Sequence, residues 1–537
     1  MPPRDAHAEH ATGSRALRRG GWERARARLA ATAAGHESPE TLEELGLAAW
    51  WLDDAPTVFD SRERAYALYR ERGDARGAAR VALWLVWDSL AFRGDSAVAS
   101  GWLERARRLL ADHRESPEYG WLLIREGEVA LFRGHRPESA VTFANEAAAL
   151  GRRVGDTSVE FTALALEGLA RVSTGDLAGG MRRLDEASIA ATSGEMKELH
   201  AVGVVCCWQI FACERVRDYD RAAQWCERVQ EFTRRWQFRP LSAVCRTQYA
   251  GVLIWRGEWA RAEEELRVSA RELELVRPGI AGHALVRLGE LRLRQGMLDD
   301  AERLFTQAGT STASRVGLAA VLLERGNAAE AAATLERAAL DVGDEEATLR
   351  AGALELLARA HAMLGDSQAA QRHLDELERL AARLNTPALM GSAAFARGIV
   401  ASARGAWTDA ARAFESAIER FERSGAPFEV ARARTELART YAALGRAESA
   451  EREARLSAGA MQKLRAAPES PKRGEALTPR QREILRFICQ GMSNAEIATR
   501  LRLSDHTVKR HVANLLLRLD LPSRAAAAAY AVREQLV

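Results

Sequence analysis

Lysine is almost missing from this chain. Lys197, Lys463, Lys472 and Lys509 are the only four among 77 basic residues in 537. A phosphate-cradling loop of the form G-x-x-x-x-G-K-[ST] needs a lysine directly after a glycine, and none of the four has one. A nucleotide-binding module built on that loop is excluded. Cysteine is scarce too. There are six, five of them between Cys206 and Cys245, with no C-x-x-C pair. Neither a disulfide framework nor a zinc site of ordinary spacing is expected. Cys206, Cys207 and Cys213 fall in one helical run and read, like Cys489, as small core residues. Long apolar runs are absent as well. Val81–Trp87 has seven residues, whereas a bilayer span needs about 20. No membrane segment is expected. Met1–Gly21 is charged and lacks the apolar stretch of a signal peptide. The expected compartment is therefore the cytoplasm. H-E-x-x-H and G-x-S-x-G are missing, and no strand–helix alternation marks a phosphoacceptor domain. No enzyme activity, cofactor or metal is expected.

Arginine takes over the basic role, and alanine is abundant, a pattern expected of a GC-rich bacterial genome. Hydrophobic residues at 47% and charged residues at 28% fit a folded protein. The length calls for several domains or a repeat array. The net charge of +3 is unevenly spread. Residues 475–537 hold ten basic and six acidic side chains, and the remainder holds 67 and 68. The basic excess sits in the last segment, which points to a polyanionic partner there.

One phrase recurs along most of the chain: a turn residue, usually Gly, and a small residue five positions later, opening an amphipathic helix. Clear copies are Gly20–Ala25, Gly94–Ala99, Gly257–Ala262, Gly296–Ala301, Gly326–Ala331, Gly365–Ala370, Gly405–Ala410 and Gly445–Ala450. Weaker ones start at Asp54, Gly134, Gly175 and Arg217. The period is about 40 residues, and a second amphipathic helix precedes most copies. Each unit reads as helix, turn, helix. A glycine adopts the left-handed turn cheaply, and the small residue lets neighbouring helices approach. No single pair can bury its apolar face, so the units must stack. Residues 16–465 are thus expected to form an all-α, tetratricopeptide-like solenoid, preceded by a flexible tail over 1–15. Of the 13 tryptophans only Trp407 follows Ala260. They read either as packing between repeats or as an aromatic lining for a ligand in the first half.

Residues 466–476 carry two prolines, a serine, a glycine and charges, and read as a linker. Then LTPRQREILRFICQG opens with Thr478 as N-cap, Pro479 at the first helical position and Gln481 completing a capping box. MSNAEIATRL repeats the device with Ser493 and Glu496. Ser504 caps a third helix with Val508, Val512, Leu515 and Leu519 along one face, and a fourth helix starts at Ser523. Two short helices across a tight turn, the second with exposed basic residues, have helix-turn-helix geometry. Lys509 and Arg510 stand near the start of the third helix. An arginine there can grip guanine with two hydrogen bonds, and a lysine can neutralise phosphate.

The pattern LTxR, G-x-S-N-x-E-I-A, L-S-x-x-T-V-K-x-H-V and L-x-x-x-S-R over residues 477–530 resembles the LuxR-type DNA-binding domain. The resemblance implies a four-helix domain over residues 477–537 that binds double-stranded DNA as a homodimer. By position, it makes Lys509 and Arg510 the base-edge readers. Thr507 and His511 would contact the backbone, Asn514 would share the exposed face, and Ser493 and Asn494 would hold the scaffold helix. Ala495, Ala513 and Leu517 replace residues that are commonly polar or basic in the family. The long repeats resemble the sensor array of MalT-like regulators, without their ATPase module. The expected function is transcription regulation: the tail reads promoter DNA in the major groove, and the array senses a small-molecule or protein effector. The alternative is a protein-interaction scaffold with a vestigial tail.

Overall fold

The computed structural model describes residues 3–236, 242–342, 347–465, 479–490 and 492–501, and residues 508, 512, 527, 528 and 531. These form two compact units, 1–465 and 466–537. Among the described residues there is no strand.

Among the described residues the first unit holds 24 α-helices in twelve antiparallel pairs, from Pro3–Arg18 with Trp22–Gly35 to Pro427–Ala443 with Ala447–Arg465. The recurring phrase marks the turn inside every pair. Ten of the twelve turn positions hold the left-handed residue itself, for instance Gly365 at φ 76° and Gly405 at φ 72°. In the other two the left-handed residue is one position away, Asp53 beside Asp54 and His135 beside Gly134. At two of the turns an aspartate follows the glycine and caps the next helix. Asp176 and Asp366 accept the backbone N–H of Gly179 and Ala369, each at 2.9 Å. Proline starts many first helices, among them Pro39–Trp51, Pro117–Phe132 and Pro387–Ala403.

The small residue of the phrase sits where helices meet. Ala25, Ala262, Ala301, Ala331, Ala370 and Ala410 are fully buried. Four residues past Ala410, the Phe414 ring fills a socket over Gly398. A Cβ at 398 would lie 2.5 Å from Phe414 Cε1.

One expectation is corrected. Residues 3–15 are not a tail, because helix Pro3–Arg18 forms the first half of the first pair. Ser14 and Leu17 are buried, and Gly13 lies against Leu29 of the next helix. Its low apolar content hid it. Two tryptophans of the repeat phrase are packed in, Trp22 stacking on Trp51 of the next pair at 4.9 Å and Trp259 buried, whereas Trp407 is exposed. Cys206, Cys213 and Cys226 are buried, and burial pushes the Cys213 thiol well up.

The array also folds back on itself. Thr386 Oγ1 donates to the Val216 carbonyl at 2.7 Å, and Trp255 Nε1 donates to the Ser424 carbonyl at 3.0 Å. Arg277 reaches Asp53 at 2.6 Å and the Trp50 carbonyl at 3.2 Å. Glu355 lies between two guanidiniums, Arg217 at 3.1 Å and Arg432 at 2.8 Å. Burial alone would raise its carboxyl, but the two arginines outweigh it and hold its pKa at about 2.

Gly398→Ala should cost about 1–3 kcal/mol by overpacking against Phe414, read from the urea midpoint of the full chain; an unchanged midpoint would refute the socket. Glu355 stabilises above its ordinary pKa of 4.5, and that contribution is lost as pH falls through about 2. Glu355→Gln should therefore be less stable than wild type at pH 7 by about 3 kcal/mol. The gap should close between about pH 5 and pH 2. A constant gap across that range would contradict the assignment.

Candidate nucleic-acid interface

The tail is built on two short helices, Pro479–Cys489 and Asn494–Leu501. The first begins at Pro479, where the missing N–H costs nothing. Thr478, its expected cap, lies outside the described residues. Between the helices, Met492 N–H donates to the Phe487 carbonyl at 3.1 Å. The second helix opens with the reciprocal cap read from the sequence. Ser493 N–H donates to Glu496 Oε2 at 2.6 Å, and Glu496 N–H donates to Ser493 Oγ at 3.3 Å. The Ser493 backbone bond and then its side chain hold the Glu496 carboxyl below the usual range. Asn494 is the first residue of that helix.

The core of the tail is small and apolar. Ile484 and Ile488 from the first helix meet Ile497 and Ala498 from the second. Val508 and Val512 complete the cluster, and both residues are helical and buried. Ala527 and Ala531 are buried too, and Cys489 Sγ lies 3.8 Å from the Ala528 carbonyl. Burial raises the Cys489 thiol. The Arg500 guanidinium lies 5.7 Å from the centre of the Phe487 ring.

Thr507, Lys509, Arg510, His511 and Asn514 lie outside the described residues, as do Leu515, Leu519 and the linker over 466–476. Of the expected site residues, the structure describes Ser493 and Asn494. Ser493 acts on the helix start.

Residues 475–531 match the family model for bacterial regulatory proteins of the luxR family, GerE. The tail is a LuxR-type DNA-binding domain. The chain is 39% identical over 85 residues to the transcriptional regulatory protein LiaR of Bacillus subtilis, covering 16% of this chain and 40% of LiaR. It is 45% identical over 60 residues to the nitrate/nitrite response regulator protein NarL of Escherichia coli, covering 11% of this chain and 28% of NarL. The response regulator protein VraR of Staphylococcus aureus is 43% identical over 63 residues, 12% of this chain and 30% of VraR. The chain thus spans less than half the length of these relatives.

Two solved structures align along most of the chain at low similarity. Cut9–Hcn1 of the APC/C gives a TM-score of 0.45 at 13% identity, over 94% of this chain and 95% of that one. Yeast Tom70 gives 0.34 at 14% identity, over 89% and 100%. The tetratricopeptide-like assignment of the array rests on its own turns and burial.

The capping box can be tested in place. Ser493→Ala removes one half of the reciprocal cap. Amide exchange over residues 494–501 of the full chain should then speed up about fivefold. Unchanged exchange would show that the helix start does not depend on it.

Proposed function

We propose that this chain is a cytoplasmic, DNA-binding transcriptional regulator. In this reading the tail binds promoter DNA as a homodimer, and the helical array senses an effector. The observation that supports it best is the luxR-family match over 475–531, together with the inward placement of Val508 and Val512. In an ideal helix, with 3.6 residues per turn, two inward valines four apart leave the intervening positions to the sides and back. Arg510 then falls opposite the core, and Lys509 and His511 flank it. That is the face a recognition helix turns to the major groove. Arg510 is the base-edge reader of guanine, with Lys509 beside it. On the same ideal helix Thr507 and Asn514 would fall to the side of Arg510, a position suited to phosphate contacts.

The array supplies the regulation. It restrains dimerisation of the tail, and an effector that prefers one state of the array shifts that balance. The linker over 466–476, with its two prolines, lets the tail act as a separate unit.

The test is capture of genomic fragments by the full-length protein at two salt concentrations, beside the Lys509→Ala/Arg510→Ala double variant. A two-fold symmetric motif, enriched less at high salt, is the expected result. The double variant should lose that motif, with specific affinity down at least about tenfold and far-UV circular dichroism unchanged. Equal enrichment by the variant would sink the role of those two residues. No enriched motif in any condition would instead favour a protein-interaction scaffold.

A further inference from the structure

One buried polar cluster joins helix pairs that are far apart in the chain. Trp50 comes from the second pair, Trp84, Trp87 and Asp88 from the third, and Arg125 and Glu128 from the fourth. His200 comes from the sixth pair, and Arg277 directly precedes the eighth. Trp84 and Trp87 are half-buried, and the others are buried. The His200 ring is wedged among three indoles, with centroids 4.6 Å from Trp84, 5.2 Å from Trp50 and 6.1 Å from Trp87. A π-helical turn, Ser89–Arg93, follows Asp88, a deformation frequent at functional sites.

The fixed charges are matched one to one: Arg62 with Asp88, Arg125 with Glu128, and Arg277 with Asp53. The guanidiniums also cover the indole faces. Arg62 lies 4.3 Å from the centre of Trp84, Arg277 4.3 Å from Trp50 and Arg125 5.3 Å from Trp87. Burial, reinforced by these arginines, keeps His200 neutral. Hydrogen bonding is nevertheless incomplete. Nε1 of Trp50, Nε1 of Trp87, Oδ1 of Asp88, Oε1 of Glu128 and Nε2 of His200 are buried without a partner. An unsatisfied buried polar atom costs about 1–3 kcal/mol. Five of them, contributed by four helix pairs, call for an explanation beyond packing.

We propose that this cluster is the effector site of the array, and that its ligand is a small neutral molecule bearing amide-type N–H and C=O groups. The proposal deepens the sensor reading above and rests on it. The ligand is neutral because every guanidinium already has its carboxylate, so a further charge would be buried without a counter-ion. It binds by its edges because the indole faces are covered while the N–H groups of Trp50 and Trp87 are unused. The two indole N–H groups donate to carbonyl oxygens, and the two carboxylate oxygens accept from N–H groups. Half-buried Trp84 and Trp87 are the side from which it enters. The site draws on the second, third, fourth and sixth pairs and on the residue before the eighth, so its occupancy bears on how those pairs pack together.

The test is calorimetric titration of the full-length protein with uracil and with cyclic glycylglycine, two neutral amides. The controls are 1,3-dimethyluracil, which lacks the N–H donors, and orotate, which adds a carboxylate. Saturable binding of at least one neutral amide is expected, with both controls at least about tenfold weaker than the tighter-binding amide or without measurable heat. Trp87→Phe and Trp50→Phe each keep a ring and remove an N–H. At least one should weaken binding about tenfold with an unchanged melting midpoint. No saturable heat from either amide up to about 10 mM overturns the proposal. Equal binding of orotate, or wild-type binding by both variants, does the same. A protein that captures a DNA motif but ignores both amides loses this site and keeps the regulator reading.

Discussion

A pair of short antiparallel helices buries one stripe against itself and leaves another open to water. Everything in the array answers to that open stripe. It can be covered only by the next pair, so the turn must deliver each pair in the same orientation. A left-handed residue ends the first helix, and in most pairs a buried alanine about five positions on opens the second. Where a ring must enter the contact, as with Phe414, a glycine stands opposite it. Composition, spacing and packing are one solution to a single burial problem.

The arginine bias acquires a structural sense from the same architecture. The cations that tie non-adjacent pairs together, Arg217, Arg277 and Arg432, are all arginines. A guanidinium is planar, weakly hydrated and able to bond several acceptors at once while lying on an aromatic ring. Arg277 bonds Asp53 and the Trp50 carbonyl and covers two rings together. A lysine ammonium, compact and strongly hydrated, would lose more water for fewer bonds at such a place.

The periodic part of this fold was legible in the sequence because its causes are local. Turn glycines, capping aspartates and buried alanines act within a few residues, so their spacing alone located the twelve hairpins. The two displaced turns, at Asp53 and His135, belong to weaker copies of the phrase. The opening helix Pro3–Arg18 was missed because its apolar content is low. In the tail, the inward valines and the Ser493–Glu496 cap were legible for the same local reason. The arginine ties and the cluster around His200 were not. Arg277 and Asp53 stand 224 residues apart, and no repeat phrase contains either. What brings them together is the winding of the whole coil, which no short window of sequence records.

Those ties change what sort of object the array is. A stack whose units touch only their neighbours is a one-dimensional chain: it can fray from its ends and lose units singly. Contacts such as Arg277 to Asp53 and Glu355 to both Arg217 and Arg432 add rungs between successive windings. The coil is then less like a ladder than like a spring with its turns laced together. Strain introduced at one winding is felt at the next without passing through every hairpin between them.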